Sequence, residues 1–259
     1  MPEATYLFPE DFLWGTATSS HQVEGGNTNN NWFAWENEPG RIYQGHTAGL
    51  ACDWWGGRWR EDLGNASEDG QNAHRFSIEW SRIQPAPDQW DEGALDFYRD
   101  MLRGMSEMGL TPMVTLHHFT DPLWIYEMGG WENDRTPYFF EKFVRYVVPA
   151  LKDNVNLWAT INEPNILAVN SYVEGCFPPG KKDISAAFHA LKNLIRGHAL
   201  AYHAIHELQP QAMAGYTLHY RGFFPKREWF PLDHWAANAL KGSVNEVFAH
   251  AIQNGEVKF

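Results

Sequence analysis

The stretch Thr160-Ile161-Asn162-Glu163-Pro164 puts a carboxylate where chemistry is easily done. The run before it, Leu157-Trp158-Ala159-Thr160-Ile161, has the composition of a buried strand, and it ends on an amide and an acid side by side. Pro164 has no N–H and biases its predecessor towards extended backbone, so the strand is predicted to stop at Glu163 and present it at a rim. An acid in that position suits proton transfer to a leaving-group oxygen. Cleavage of a glycosidic bond is one such reaction, and it needs two carboxylates, about 5–5.5 Å apart for retention or about 6.5–9.5 Å for inversion. Glu163 is a candidate for one of the two.

Other polar side chains sit at the ends of similar runs. Arg75-Phe76-Ser77-Ile78-Glu79-Trp80 alternates, so Phe76, Ile78 and Trp80 are predicted to face outer helices, with Arg75, Ser77 and Glu79 pointing inward. An inward arginine and glutamate need partners. They are either a structural ion pair or an arginine that orients a catalytic carboxylate and holds it ionised. Thr115-Leu116-His117-His118-Phe119-Thr120-Asp121-Pro122 closes another run. Two successive histidines in a strand point to opposite sides, which excludes a local metal pair and predicts one packed and one at the rim. Gln22, in Ser-His-Gln-Val-Glu-Gly after the first run, offers the donors and acceptor that neighbouring hydroxyls require, although polar turns are common. Glu24 beside it is a further carboxylate, for which a salt bridge is the plainer reading. His198, His203 and His206 share a helix at a spacing poor for metal binding, and no metal site is legible.

The elements that must hold these residues alternate between strand and helix. Strands are predicted in 12–17, 74–80, 112–118, 157–161 and 212–220. In 137–152, Phe139, Phe140, Phe143, Val144, Val147, Val148 and Leu151 form one helical stripe, with Thr136 as N-cap and Pro137 in the first turn. In 92–108 the stripe is Leu95, Tyr98, Met101, Leu102, Met105 and Met108, ended by Gly109. A third helix is predicted to start after Asp183, carry Phe188, Leu191, Leu194, Ile195, Tyr202, Ile205 and Leu208, and stop before Pro210. Such alternation gives right-handed βαβ units on a parallel sheet, either doubly wound or closed into a (β/α) barrel. Candidate site residues at the carboxyl ends of successive strands favour the barrel. There is no Gly-rich phosphate fingerprint. The irregular stretch 20–72 is long for a structureless connection and reads as a functional loop.

Composition removes several function classes. A net charge of −12 leaves no basic stripe for nucleic acid. Apolar residues make up 44% of the 259, which is globular rather than disordered. No apolar run approaches the roughly 20 residues that cross a bilayer. The opening residues show no basic start followed by an apolar core, and two cysteines, Cys52 and Cys176, make no disulfide framework, so a cytoplasmic location is expected. Of 13 tryptophans, Trp32, Trp35, Trp54, Trp55 and Trp59 cluster in one polar, Gly-rich stretch, where they either stack on the apolar face of a sugar or simply pack.

Taken together, FPEDFLWGTATSSHQVEG at 8–25, RFSIEWSRI at 75–83, VTLHHFTDP at 114–122, TINEPN at 160–165 and, more loosely, the region through NEVFAHAIQNGE at 245–256 resemble glycoside hydrolase family 1, the β-glucosidases, β-galactosidases and their relatives. The motifs run in family order across essentially the whole chain. The resemblance implies an α/β fold of the (β/α)8 TIM-barrel type and hydrolysis of β-glycosides or oligosaccharides with retention, without a cofactor. It implies Glu163 as general acid/base and Asn162 on the sugar 2-OH. Gln22 and His118 would hold hydroxyls at the non-reducing end, and Arg75 would steady the nucleophile. Phe119 stands where the family usually has tryptophan, which keeps an aromatic surface and loses an N–H donor.

The family's nucleophile is a glutamate in a Thr-Glu-Asn-Gly type motif on the seventh strand, and no such motif occurs here. Residues 1–259 are therefore expected to form a single barrel domain of about five βα units, truncated before the strand that carries the nucleophile. Glu79 and Asp121 are the nearest carboxylates in the chain that could stand in. The alternatives to an enzyme are a non-catalytic carbohydrate-binding remnant and an inactive fragment. Open strand edges lead to the expectation that the chain is poorly soluble alone, self-associates, or is completed by a second polypeptide.

Overall fold

In the computed structural model, which describes residues 7–256, five strands form one parallel sheet. They are β1 (Gly15–Ala17), β2 (Ala73–Ser77), β3 (Thr111–His117), β4 (Leu157–Asn162) and β5 (Met213–Thr217), and they lie side by side in chain order. A doubly wound sheet reverses its strand order at a switch point. No reversal occurs here, so every crossover advances in one direction, as in a barrel with five of its strands present.

Helices fill each crossover. α1 (Ser20–Val23), α2 (Asn31–Glu36) and α3 (Trp59–Glu68) follow β1; α4 (Trp80–Ile83) and α5 (Glu92–Glu107) follow β2. α6 (Leu123–Glu127) and α7 (Thr136–Leu151) follow β3; α8 (Pro164–Val169) and α9 (Ile184–Leu208) follow β4. α10 (Pro231–Leu240) and α11 (Val247–Asn254) come after β5. The stretch 20–72 is thus three helices joined by turns rather than a long loop. Its last helix, α3, buries Trp59 and Leu63 and serves as an outer helix of the first unit.

The long helices form for the reasons their stripes give. Asp91 caps α5 by accepting from the Ala94 N–H, and Leu95, Tyr98, Met101, Leu102 and Met105 are all buried. Phe140, Phe143, Val144, Val147, Val148 and Leu151 line the buried face of α7. Thr136 does not cap α7; the residue before the helix is Arg135, and the Thr136 hydroxyl donates to the Gly130 carbonyl at 2.6 Å instead. Asp183 caps α9 by accepting from the Ser185 and Ala186 N–H groups. The buried face of α9 carries Leu191, Leu194 and Ile205 of the expected stripe together with Ala186, Ala190, Ala201 and Ala204, whereas Phe188 and Tyr202 remain 38% exposed. Small residues let the helix approach its neighbours closely: a Cβ on Gly197 would lie 2.9 Å from the Trp131 ring.

Side chains in register share a face of the sheet. Phe76, Val114 and Trp158 form a buried row towards the helices, while Arg75, Met113, Leu157 and Met213 lie along the inner face. Between Ala159 and Asn162 the pairing of β4 with β5 slips: Ala159 faces Gly215, but Asn162 faces Thr217. A bulge of this kind twists a strand end and re-aims the side chains beyond it. The residues re-aimed are Asn162 and Glu163.

Candidate active site

Glu163 sits at the joint between β4 and α8 with φ 43° and ψ 57°, a left-handed conformation. The expectation of extended backbone ahead of Pro164 is therefore overturned. The chain must turn from a strand straight into a helix whose first residue is proline, and an extended residue would carry it past the rim. The joint is clamped on both sides: the Glu163 N–H donates to the Thr217 carbonyl at 2.9 Å, and its carbonyl accepts from the Leu167 N–H at 3.0 Å. Such a conformation costs about 1–3 kcal/mol and persists where the surroundings over-determine it.

Arg75, from β2, reaches across to β4. Its Nη1 donates to the Asn162 Oδ1 at 3.0 Å, and the Thr217 hydroxyl donates to the same oxygen at 2.7 Å. With that oxygen saturated by two donors, the amide's Nδ2 is left as the free end, and it donates to no partner among the described residues. Burial pulls the Arg75 guanidinium below its usual value, and the Glu163 carboxylate acts against that pull. Among the described residues Arg75 makes one side-chain hydrogen bond, the one to Asn162, so its planar, charged fork keeps further donors for an anion.

His117 and His118 divide as two successive strand residues should. His117 is buried against Trp131 and Phe140, with its Nε2 2.9 Å from Asp121. His118 is half-buried beside Arg75. Burial, then the Arg75 charge, then His117 push it down to about 3, so its imidazole is neutral. Its Nδ1 is buried without a partner. Phe119 follows with φ 70°, another left-handed residue at a strand exit, and its carbonyl accepts from Asn31 Nδ2 at 3.3 Å. From there, ring contacts run through Phe177 at 5.6 Å to Trp32 at 4.9 Å and on to His21 at 6.3 Å. Gln22 lies on α1 next to His21, exposed and with no side-chain hydrogen bond among the described residues.

The structure thus bonds Arg75 to Asn162, sets Glu163 next to Asn162 where its carboxylate acts on Arg75, and places His118 within the field of Arg75. Gln22 and Phe119 stand at the ends of β1 and β3, with no side-chain hydrogen bond to that trio among the described residues. The tryptophan cluster is mostly core: Trp35, Trp54 and Trp59 are buried, Trp55 packs on Phe97 and under Arg82, and only Trp32 joins the aromatic rim. The inward pair of Arg75 with Glu79 does not form. Glu79 is fully buried and accepts from the hydroxyls of Ser20 at 2.7 Å, Ser81 at 2.7 Å and Thr120 at 3.0 Å. Asp121 is likewise held, by His117 and by Trp131 Nε1 at 3.1 Å. Hydroxyl donors satisfy a buried carboxylate at lower desolvation cost than a buried guanidinium would.

Glu24 does form a salt bridge, with Arg82 at 2.8 Å, and accepts from the Tyr98 hydroxyl at 2.6 Å. Burial nevertheless dominates, pushing it up to about 7. Among the described residues there is no cluster of histidine, cysteine, aspartate and glutamate that could hold a metal ion. No helix among them is long and apolar enough to cross a membrane.

Two residues at this rim escaped the sequence reading. Thr217 fixes the Asn162 oxygen, and His219 brings its Nδ1 to 3.4 Å from Glu163 Oε1. Their signal was present: both lie at the exit of a recognised strand, in Tyr216-Thr217-Leu218-His219.

The chain matches the family model for glycosyl hydrolase family 1 over residues 4–258. It is 36% identical over 227 residues to β-glucosidase A of Thermotoga maritima, a match covering 85% of this chain and 51% of that relative. It is 34% identical to a β-glucosidase of Agrobacterium, over 84% of this chain and 49% of that one. Among solved structures, a family 1 β-glucosidase from Thermotoga maritima superposes with a TM-score of 0.93 at 33% identity, over 97% of this chain and 58% of that one. A β-glycosidase from Pyrococcus horikoshii gives 0.90 at 36%, over 97% and 57%. The chain spans about half the length of the curated relatives it matches, and by motif order, family model and backbone alike it belongs to glycosyl hydrolase family 1.

Proposed function

We propose that this chain carries the acid/base half of a retaining β-glycosidase site, with Glu163 as the general acid that protonates the leaving oxygen and the base that then activates water. The observation that carries this reading is the coupling of Arg75, Asn162 and Glu163 at one rim. Asn162 turns a free N–H donor outward, as a bound sugar hydroxyl needs, and Arg75 keeps open donors for a second carboxylate. Neutral His118 and exposed Gln22 would take further hydroxyls of a β-glycoside or oligosaccharide, and Phe119 would lie under the apolar face of a ring. In a retaining mechanism the second carboxylate attacks the anomeric carbon, and Glu163 hands its proton to the departing oxygen. Glu79 and Asp121 are poor candidates for that nucleophile because their oxygens already accept structural hydrogen bonds. It would come from three further βα units closing the barrel, in this polypeptide or another, where the solved relatives extend beyond the part matched here.

A second reading, sugar binding without turnover, is favoured by the same engagement of Glu79 and Asp121. The two exposed free cysteines, Cys52 and Cys176, fit a reducing, cytoplasmic setting.

The test is hydrolysis of an aryl β-glucoside by the protein and by its Glu163→Gln variant. Loss of turnover in the variant supports the acid/base role; undiminished turnover overturns it. If neither hydrolyses, calorimetric titration with cellobiose decides whether binding remains.

A further inference from the structure

We propose that Arg221 fixes His219 in the tautomer protonated on Nδ1, and that His219 so fixed is a positioning residue for the Glu163 carboxylate. The inference rests on the reading of Glu163 as acid/base for its significance, but not for its geometry. Arg221 Nε donates to His219 Nε2 at 3.0 Å. An N–H donor there requires that Nε2 carry a lone pair, which leaves the ring proton on Nδ1. That nitrogen is the one facing Glu163, 3.4 Å from Oε1. The imidazole therefore offers the carboxylate a donor and cannot take a proton from it through Nδ1.

The segment that carries both residues is built to hold this pose. Asn165, the second residue of α8 and buried, donates through Nδ2 to the His219 carbonyl at 2.8 Å and to the Val244 carbonyl at 3.1 Å. Asn245, also buried, accepts from the Arg221 N–H at 3.1 Å and donates to the Arg221 carbonyl at 2.6 Å. Two interior amides from two different elements thus pin residues 219 and 221, although the chain after β5 is otherwise exposed there. Such clamps on a surface segment are unneeded for the fold of β5, which ends at Thr217.

The polar groups facing Glu163 are Arg75 from β2, whose guanidinium it supports, and the His219 imidazole beyond β5; Arg75 also acts on His118 at the exit of β3. Asn162 and Thr217 supply neutral dipoles. His219 faces Oε1 from the β5 side, which leaves Oε2 as the oxygen that carries the transferable proton. The same site would turn freely without His219, and a proton donor needs its lone pair aimed to within hydrogen-bond reach of the leaving oxygen.

The experiment is 15N NMR of the histidine-labelled chain near pH 7.5. The His219 resonances are expected to show a protonated Nδ1 and an unprotonated Nε2. Arg221→Met should shift the ratio of tautomers towards Nε2–H by about tenfold, the weight of one hydrogen bond. Glu163→Gln should displace the Nδ1 resonance while the Nε2 resonance stays. A native His219 protonated on Nε2, or on both nitrogens, overturns the proposal, as does an Nδ1 resonance indifferent to Glu163→Gln. The first readout needs no variant, so a misfolded substitution cannot obscure it. The NMR result also stands apart from turnover: the pose can hold even if Glu163→Gln leaves hydrolysis intact, in which case only the acid/base reading fails.

Discussion

Three histidines in this fold are held neutral by their surroundings. His74, bridged between Thr16 and Thr18, is pushed down to about 4 by burial and then by Arg75. His118 falls to about 3 and His198, beside Thr160, to about 4. Each has a folded value below the 6.5 of the free side chain, so the unfolded chain binds the proton first. Their contribution to stability is complete above about pH 6.5 and is lost as pH falls below it. Glu24 has the opposite sign: raised to about 7, it binds a proton in the folded state first, and so favours folding as pH falls from 7 towards 4.5. Three protons against one leaves a net uptake of about two on unfolding near pH 5, or about 2–3 kcal/mol per pH unit. Urea unfolding at pH 6.5 and pH 5 should therefore show a lower midpoint at pH 5; a midpoint that holds or rises would contradict the assignment. At this scale the sequence exposed residue types and strand positions but not backbone strain. The proline after Glu163 argued for extended backbone, and only the clamp by Thr217 and Leu167 reverses that local preference. His219 lay within the strand expected over 212–220, but its pairing with Glu163 was not legible, since that partner arrives through a register slip that no local pattern announces.

At the scale of elements, legibility followed periodicity. α5 and α7 were readable because large apolar residues mark one stripe. α9 was readable in extent, through Asp183, and Leu191, Leu194 and Ile205 of its stripe are buried, but close helix packing selects alanine and glycine over the rest of the inner face and leaves Phe188 and Tyr202 largely outside. The connection between β1 and β2 was not readable as helix, because its short helices are stitched by polar caps and turns rather than by a long stripe. Gly25 shows how tightly that connection is fitted. It has φ 77°, its carbonyl accepts from Arg82 Nη2 at 2.5 Å, and a Cβ on it would lie 2.0 Å from the Leu50 carbonyl oxygen. Gly26 has φ 67° with open space around it. Gly26→Ala should cost only the left-handed penalty, about 1–2 kcal/mol. Gly25→Ala should cost more than its neighbour, because the backbone carbonyl cannot move aside cheaply. Equal losses for the two variants, measured by urea denaturation, would mean that the loop yields and that the contact does not constrain it.

For the molecule as a whole, what decides behaviour in solution is the open arc between β1 and β5. All three residues of β1 are exposed. Beside it Phe8, Phe12 and Trp14 stack on one another with ring centroids 4.7–4.8 Å apart, and each remains 38–56% exposed. On the far side Met213 is 60% exposed, and Tyr220, Phe224, Trp229 and Trp235 range from 63% to 84%. A compact monomer of 29.8 kDa has an accessible surface of about 11,600 Å². The 13842 Å² of this chain exceeds that by about 2,200 Å², slightly more than a standard-size protein interface buries. The sheet keeps the curvature of closed family 1 barrels, as the TM-score of 0.93 records, so the exposed edges are shaped for further βα units rather than for water. The chain on its own should therefore associate through these edges. Sedimentation velocity over a range of concentrations should give a species heavier than 29.8 kDa, and Trp14→Ser with Phe12→Ser should shift it towards the monomer. A monomer at every concentration would show that the exposed aromatic face tolerates water and that closure of the barrel is not what this surface demands.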